Sequence, residues 1–202
     1  MNRIAAAGGA IGGGLLYGCA QVGIGMWPLA FVCLALWWST LMEARPARGF
    51  GSGCLFGSSA YLIAMAWLLP TASRFAGAGE GLSFVGVVLW LAQGAWIAIG
   101  FGVAGALSSA LLRRGWPSAF AGSLPLVVVE WVQPQVFGAG VGAVLATTPV
   151  LAQPAALGGP LLLTTFVGVT NGLILDAVMI EPDELALTLV WRASVPNRPA
   201  GR

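Results

Sequence analysis

The chain has 202 residues, of which 58% are hydrophobic and only 8% charged, against roughly 25% charged in an ordinary soluble domain, so water is not the solvent for most of its surface. The formal charge of +2 comes from scattered arginines and leaves no basic patch for nucleic acid. The chain contains no His and no Lys, which removes the usual general base, the commonest metal ligand and the amine nucleophile together.

A hydrocarbon core about 30 Å thick needs roughly 20 helical residues, and apolar runs of that order recur along the chain. The first, residues 4–23, is glycine-rich and uncharged. Its Leu16-Tyr17-Gly18-Cys19 approximates a lipoprotein cleavage box, but Tyr17 is bulky for one and further spans follow, so a transmembrane helix is the better reading. The second run, 27–42, ends in a polar turn with Glu43, Arg45, Pro46 and Arg48, and a third covers 50–69. Pro70 is expected to open a loop through Arg74 and Glu80. Residues 82–112 suit a tilted span with an interfacial extension, stopped by Arg113 and Arg114. The fifth span is approximately 119–132. The uncharged, glycine- and proline-rich stretch 133–156 is expected to lie in the interface or re-enter the bundle, where protein satisfies its backbone groups. The sixth span runs over about 157–179.

Arg3, Arg45, Arg48, Arg113, Arg114, Arg192, Arg198 and Arg202 fall on one side of this arrangement and Arg74 on the other. The positive-inside rule then places both termini in the cytoplasm, which an even number of spans requires. The expectation is an all-α integral membrane bundle of about six transmembrane helices over residues 1–180, followed by a short polar cytoplasmic tail, 181–202.

Few side chains are available for chemistry. Glu130 is the acid nearest the middle of an apolar run, and an intramembrane carboxylate is a functional-site hypothesis by default; the competing reading is a helix-end acid hydrogen-bonded within the bundle. Asp176 lies close enough to a span end to be a solvated acid. Arg74 and Glu80 are placed to meet a lipid phosphate or a partner domain, or simply water. Cys19, Cys33 and Cys54 lack the spacing of a metal or redox site and read as buried thiols. The spaced pairs Gly9/Gly13, Gly14/Gly18, Gly53/Gly57 and Gly168/Gly172 read as helix contacts. The nine tryptophans mostly fall near span ends and read as an aromatic belt.

The order of features resembles a known family. Gly25-Met26-Trp27-Pro28-Leu29-Ala30-Phe31 is similar to the entry to the second helix of bacterial apolipoprotein N-acyltransferases. So are the turn from Arg48 into Gly49-Phe50-Gly51, Trp67 followed by Arg74-Phe75-Ala76-Gly77, and the helix from Leu124-Pro125 to Glu130-Trp131. The strongest match is Leu151-Ala152-Gln153-Pro154-Ala155-Ala156-Leu157-Gly158-Gly159 with the later Asn171. The resemblance covers residues 10–176 and only the amino-terminal membrane portion of that family. It implies an enzyme that moves an acyl chain from a phospholipid to the amino-terminal diacylglyceryl-cysteine of a lipoprotein in the bacterial inner membrane. The family's chemistry resides in a nitrilase-like domain with a Glu, Lys and Cys triad. No lysine here can serve, so no catalytic residue is assigned to this chain.

The resulting expectation is a truncated acyltransferase membrane domain, inactive alone, with no cofactor or metal. Its partners are membrane phospholipid, a lipoprotein substrate and a nitrilase-like domain in trans. Trp67, Arg74, Glu130, Gln153 and Asn171 are the polar residues expected to line its lipid cleft or to brace it. The alternative is a small noncatalytic membrane scaffold or transporter.

Overall fold

The computed structural model describes residues 3–21, 23–75, 82–133 and 140–179; the tail 181–202 and Glu80 lie outside them. The described secondary structure is helical: α1 (Arg3–Ala20), a 3-10 turn (Trp27–Leu29) leading into α2 (Ala30–Ser39), α3 (Pro46–Ala64), α4 (Leu68–Phe75), α5 (Phe84–Leu112), α6 (Ser118–Val132), a 3-10 segment (Val141–Thr147), α7 (Pro149–Ala152) and α8 (Ala155–Met179). A helix occupies each apolar run singled out above. Helix α3 starts earlier than expected because Pro46 sits in its first turn, where a missing N–H and a fixed φ are assets. Gly115, at φ +78°, makes the turn from α5 into α6, a conformation that L side chains rarely adopt.

The expected loop at Pro70 and Arg74 is instead the helix α4. Pro70 stands in its first turn, where backbone N–H groups have no intrahelical partner to lose. The chain breaks just before it, and α3 and α4 meet at a 68° bend. Helix α8 is also interrupted. Gly159 has φ +70° and is followed by Pro160, so the regular helix begins at that proline and the preceding turn is kinked away from it.

Helices α5 and α8 are each long and apolar enough to cross a membrane, and α3 with α4 makes a third if the bent pair counts as one span. The 3-10 turn with α2, and α6, are apolar but shorter. Packing runs from α1 to α2, α8, α6, α5, α3 and back to α1, so these six helices close into a ring. Helix α4 lies on α5, and the segment Val141–Thr147 lies on α8. Outward, α5 exposes Val85, Val88, Leu89, Leu91, Ile99, Val103 and Leu107, a run of large apolar side chains of the kind that marks a membrane- or partner-facing surface.

Inside the ring, Trp37 stacks on Phe56 with centroids 4.5 Å apart, and Phe101 and Tyr17 complete an aromatic cluster. Trp37 and Trp38 are both 0% exposed, so they belong to the core and not to an interfacial belt. Small residues on neighbouring helices make the room: a Cβ at Gly122 would come within 2.5 Å of the Trp38 ring, and one at Gly105 within 3.1 Å of Trp37. The spaced glycines likewise mark helix contacts, since a Cβ at Gly53 would lie 2.0 Å from the Phe101 carbonyl oxygen and one at Gly172 2.2 Å from the Ala119 Cα. Packing of this kind, with backbones in near contact, is how helices associate where lipid removes the hydrophobic drive.

The ring has one arginine-rich end. Arg3, Arg48 and Met179 line a common cavity, so the start of α1, the start of α3 and the end of α8 lie together. A Cβ at Gly49 would meet Gly105 and Ser109, which brings the end of α5, with Arg113 and Arg114 beyond it, to the same place. Arg45 immediately precedes α3. Arg74 is at the opposite end, because α4 packs on the start of α5, where Ser73 faces Gly86.

Candidate functional site

Glu130 occupies the last turn of α6, half-buried, and both of its carboxylate oxygens are engaged. Oε1 accepts from the Val141 N–H at 2.5 Å, and Oε2 accepts from the Thr164 hydroxyl at 2.6 Å. The Thr164 oxygen in turn accepts from the Gly142 N–H at 2.9 Å. The first N–H groups of any helix lack intrahelical partners, and here the 3-10 segment finds its acceptors on α6 and α8. A negative charge at that helix start is favourable as well.

This clamp holds the segment inside the bundle. Val141, Val144 and Leu145 are 0% exposed, and a Cβ at Gly142 would strike Thr164 and Leu163 of α8 at 2.5 to 2.6 Å. Residues 141–145 of the glycine- and proline-rich stretch therefore lie inside the bundle, whereas Val150 and Gln153 further along it are exposed; residues 134–139 lie outside the described residues. Glu130 is hydrogen-bonded at a helix end, and its oxygens are committed to holding backbone in place.

Beside the clamp, between α5 and α6, is a small cavity of about 30 Å³ lined by Ile97, Gly100, Phe101, Val129, Glu130 and Gln133, enough for about one water. The Gln133 amide donates to the Trp96 carbonyl at 2.6 Å. It reaches across because position 100 is glycine: a Cβ there would sit 2.0 Å from Gln133 Oε1.

Asn171 is 0% exposed and uses all of its amide's hydrogen-bonding directions. Its Oδ1 accepts from the N–H groups of Leu34 and Ala35 at 3.1 and 2.9 Å, and its Nδ2 donates to the carbonyls of Ala30 and Val167 at 2.7 and 2.8 Å. Leu34 N–H and Ala30 C=O are an i, i−4 pair of α2, so this one side chain pins α8 to the backbone of α2. Thr164 lies two turns before it on the same face of α8, and the two residues make one polar seam along the interior.

The remaining candidates stand elsewhere. Trp67 sits in the break between α3 and α4, about half exposed, and its carbonyl accepts from the Thr71 hydroxyl. Arg74 is exposed in the last turn of α4. Gln153 is exposed where α7 ends, and its carbonyl accepts from the Ala156 N–H. Two readings need correcting. Asp176 is not simply solvated: its carboxylate accepts from the Ser118 N–H at 3.2 Å and so caps α6 from α8. Cys33 is buried, but Cys19 and Cys54 are only partly so. Among the described residues no cluster of His, Cys, Asp or Glu could hold a metal.

Thr164 is the member of this hydrogen-bonded network that the sequence reading missed. Its signal was faint: a hydroxyl seven residues before Asn171 on an otherwise apolar helix face. Its partners lie 34 and 22 residues away, which no local pattern reveals.

The chain matches the family model of the apolipoprotein N-acyltransferase N-terminal domain over residues 13–173. The apolipoprotein N-acyltransferase of Mycolicibacterium smegmatis is 36% identical to it over 124 residues, which are 60% of this chain and 19% of that protein. The chain thus matches about a fifth of that relative's length.

Proposed function

Because the chain belongs to the apolipoprotein N-acyltransferase family through its N-terminal domain, we propose that it is the membrane domain of a lipoprotein-acylating system. The reaction would move an acyl chain from a phospholipid to the amino group of a lipoprotein's diacylglyceryl-cysteine. The observation that carries this reading is the family match, which begins within α1 and ends within α8 and so takes in the whole ring of helices.

In this reading the ring crosses the bacterial inner membrane six times with both termini in the cytoplasm. Five of the six arginines among the described residues gather at one end, and that end would face the cytoplasm. The opposite end, with Trp67, Arg74 and Gln153, would face outward and form one wall of a lipid-access cleft. Arg74 is the cation there for a lipid phosphate, Glu130 fixes the re-entrant segment behind the wall, and Asn171 braces the helices beneath it.

Bond making is assigned elsewhere. A cysteine nucleophile needs a base to form its thiolate and a cation to hold the oxyanion. These 202 residues contain no lysine, and their three cysteines lie in helices. A nitrilase-like domain outside these residues would therefore supply the triad, and this domain alone would be inactive. Protein donors already reach both oxygens of Glu130, which favours a bracing role for it over the ion-carrying role that the transporter alternative would need.

The test is to express the chain, with and without a nitrilase-like domain from a family member, in cells depleted of their own acyltransferase. Lipoprotein N-acylation is then read by mass spectrometry. Acylation only when both are present is expected. Acylation by the chain alone, or none although the two assemble, would overturn the proposal.

A further inference from the structure

At the arginine-rich end, away from Glu130, the helices leave a cavity of about 430 Å³, within the range of small-molecule sites. Arg3 of α1 and Arg48 of α3 line it together with Glu43, while Met42 and Met179 supply apolar lining. The hydroxyls on its floor are already committed. Thr40 donates to the Trp37 carbonyl at 2.7 Å, and Ser52 accepts from the Trp37 indole N–H at 3.2 Å. Among the described residues neither guanidinium has a hydrogen-bond or ion-pair partner.

The charge here comes from side chains. Two helices, α1 and α3, begin at this cavity and two, α2 and α8, end beside it, so their macrodipoles largely offset one another. Two arginines against one glutamate leave a net positive cleft. The planar guanidinium fork matches phosphate oxygens bidentately, and basic pockets between helices at a membrane surface suit lipid headgroups. The methionines offer an apolar rest for the glycerol ester region below a phosphate.

We propose that this cleft binds the phosphate group of a membrane phospholipid, held by Arg3 and Arg48. It is a site at the opposite end of the bundle from the proposed acyl-transfer cleft. It rests on the chain being in a membrane and is independent of whether acyl transfer occurs. Glu43 opposes the bound phosphate and limits the affinity.

The experiment is native mass spectrometry of the full chain in detergent, titrated with phosphatidylglycerol, and with inorganic phosphate as a competitor. Arg3→Gln with Arg48→Gln should weaken phosphatidylglycerol binding about tenfold or more. Arg113→Gln with Arg114→Gln removes the same charge at the same end outside the cleft and should change binding less than about twofold. Glu43→Gln should tighten it, and Arg48→Lys, which keeps the charge but loses the fork, should weaken it less than Arg48→Gln, a comparison that serves where the double variant folds poorly. Displacement by inorganic phosphate would show that the site takes free phosphate too; no displacement would assign it to the lipid headgroup. Equal weakening by the two double variants, or no lipid binding by the unaltered chain, would overturn the proposal.

Discussion

Removing the Glu130 carboxylate with Glu130→Ala should release the re-entrant segment without unfolding the ring. The change leaves the Val141 N–H and the Thr164 hydroxyl without their acceptor. An orphaned buried donor costs about 1–3 kcal/mol, while single hydrogen bonds between membrane helices have been worth about 0.6 and at most about 1.7 kcal/mol. Two such losses therefore come to roughly 2 kcal/mol, or about a 30-fold shift in local opening. Glu130→Gln keeps an acceptor for Val141 and turns a donor toward Thr164, whose oxygen has a second lone pair beside the one used by Gly142. It should cost about half as much. Hydrogen exchange by mass spectrometry on residues 140–148, in detergent or nanodiscs, reads the difference directly. Unchanged exchange in Glu130→Ala, or equal damage from both substitutions, would refute the clamp.

Asn171→Leu keeps the bulk but drops the bonds to Ala30, Leu34 and Ala35, and should lower stability by about 2–3 kcal/mol in a steric-trapping or thermal unfolding measurement. Gly53→Ala puts a Cβ 2.0 Å from the Phe101 carbonyl and should destabilise by about 1–3 kcal/mol. Gly51→Ala, on the open side of the same helix with nothing within 4 Å, should stay within about 0.5 kcal/mol in the same assay. Asp176→Ala removes the cap on Ser118 and should cost about 0.5–2 kcal/mol. Asp176→Asn should recover most of that, as judged by the unfolding midpoint.

Much of the helix layout was legible because its punctuation is local. Arg113 and Arg114, read as the stop of the fourth span, stand just past the end of α5, whereas Pro46, read as part of a turn, starts α3. The 133–156 stretch was expected to lie in the interface or to re-enter the bundle because uncharged apolar backbone needs partners; at Val141 and Gly142 those partners are Glu130 and Thr164. What was not legible depends on distant neighbours. Trp37 and Trp38 look like a belt until Gly105 and Gly122 from other helices are brought against them. Asp176 looks like a headgroup acid until Ser118, 58 residues earlier, arrives beside it. Pro70 looks like a loop opener because the sequence does not tell a first-turn proline from a terminating one. Of the five candidate residues, Glu130 and Asn171 prove to be interior hydrogen-bonding pins of α6 and α8, whereas Trp67, Arg74 and Gln153 reach the surface.

Every functional assignment depends on which way the bundle sits in the membrane, and single-cysteine accessibility tests that most directly. In a chain freed of Cys19, Cys33 and Cys54, the exposed positions Ala47, Trp116, Gly23 and Phe75 would each be changed to cysteine. Intact spheroplasts would then be treated with a membrane-impermeant maleimide. Gly23→Cys and Phe75→Cys should label, and Ala47→Cys and Trp116→Cys should label only after lysis. Labelling of Ala47→Cys or Trp116→Cys from outside, or protection of Gly23→Cys or Phe75→Cys, would contradict a six-span bundle with its arginines in the cytoplasm.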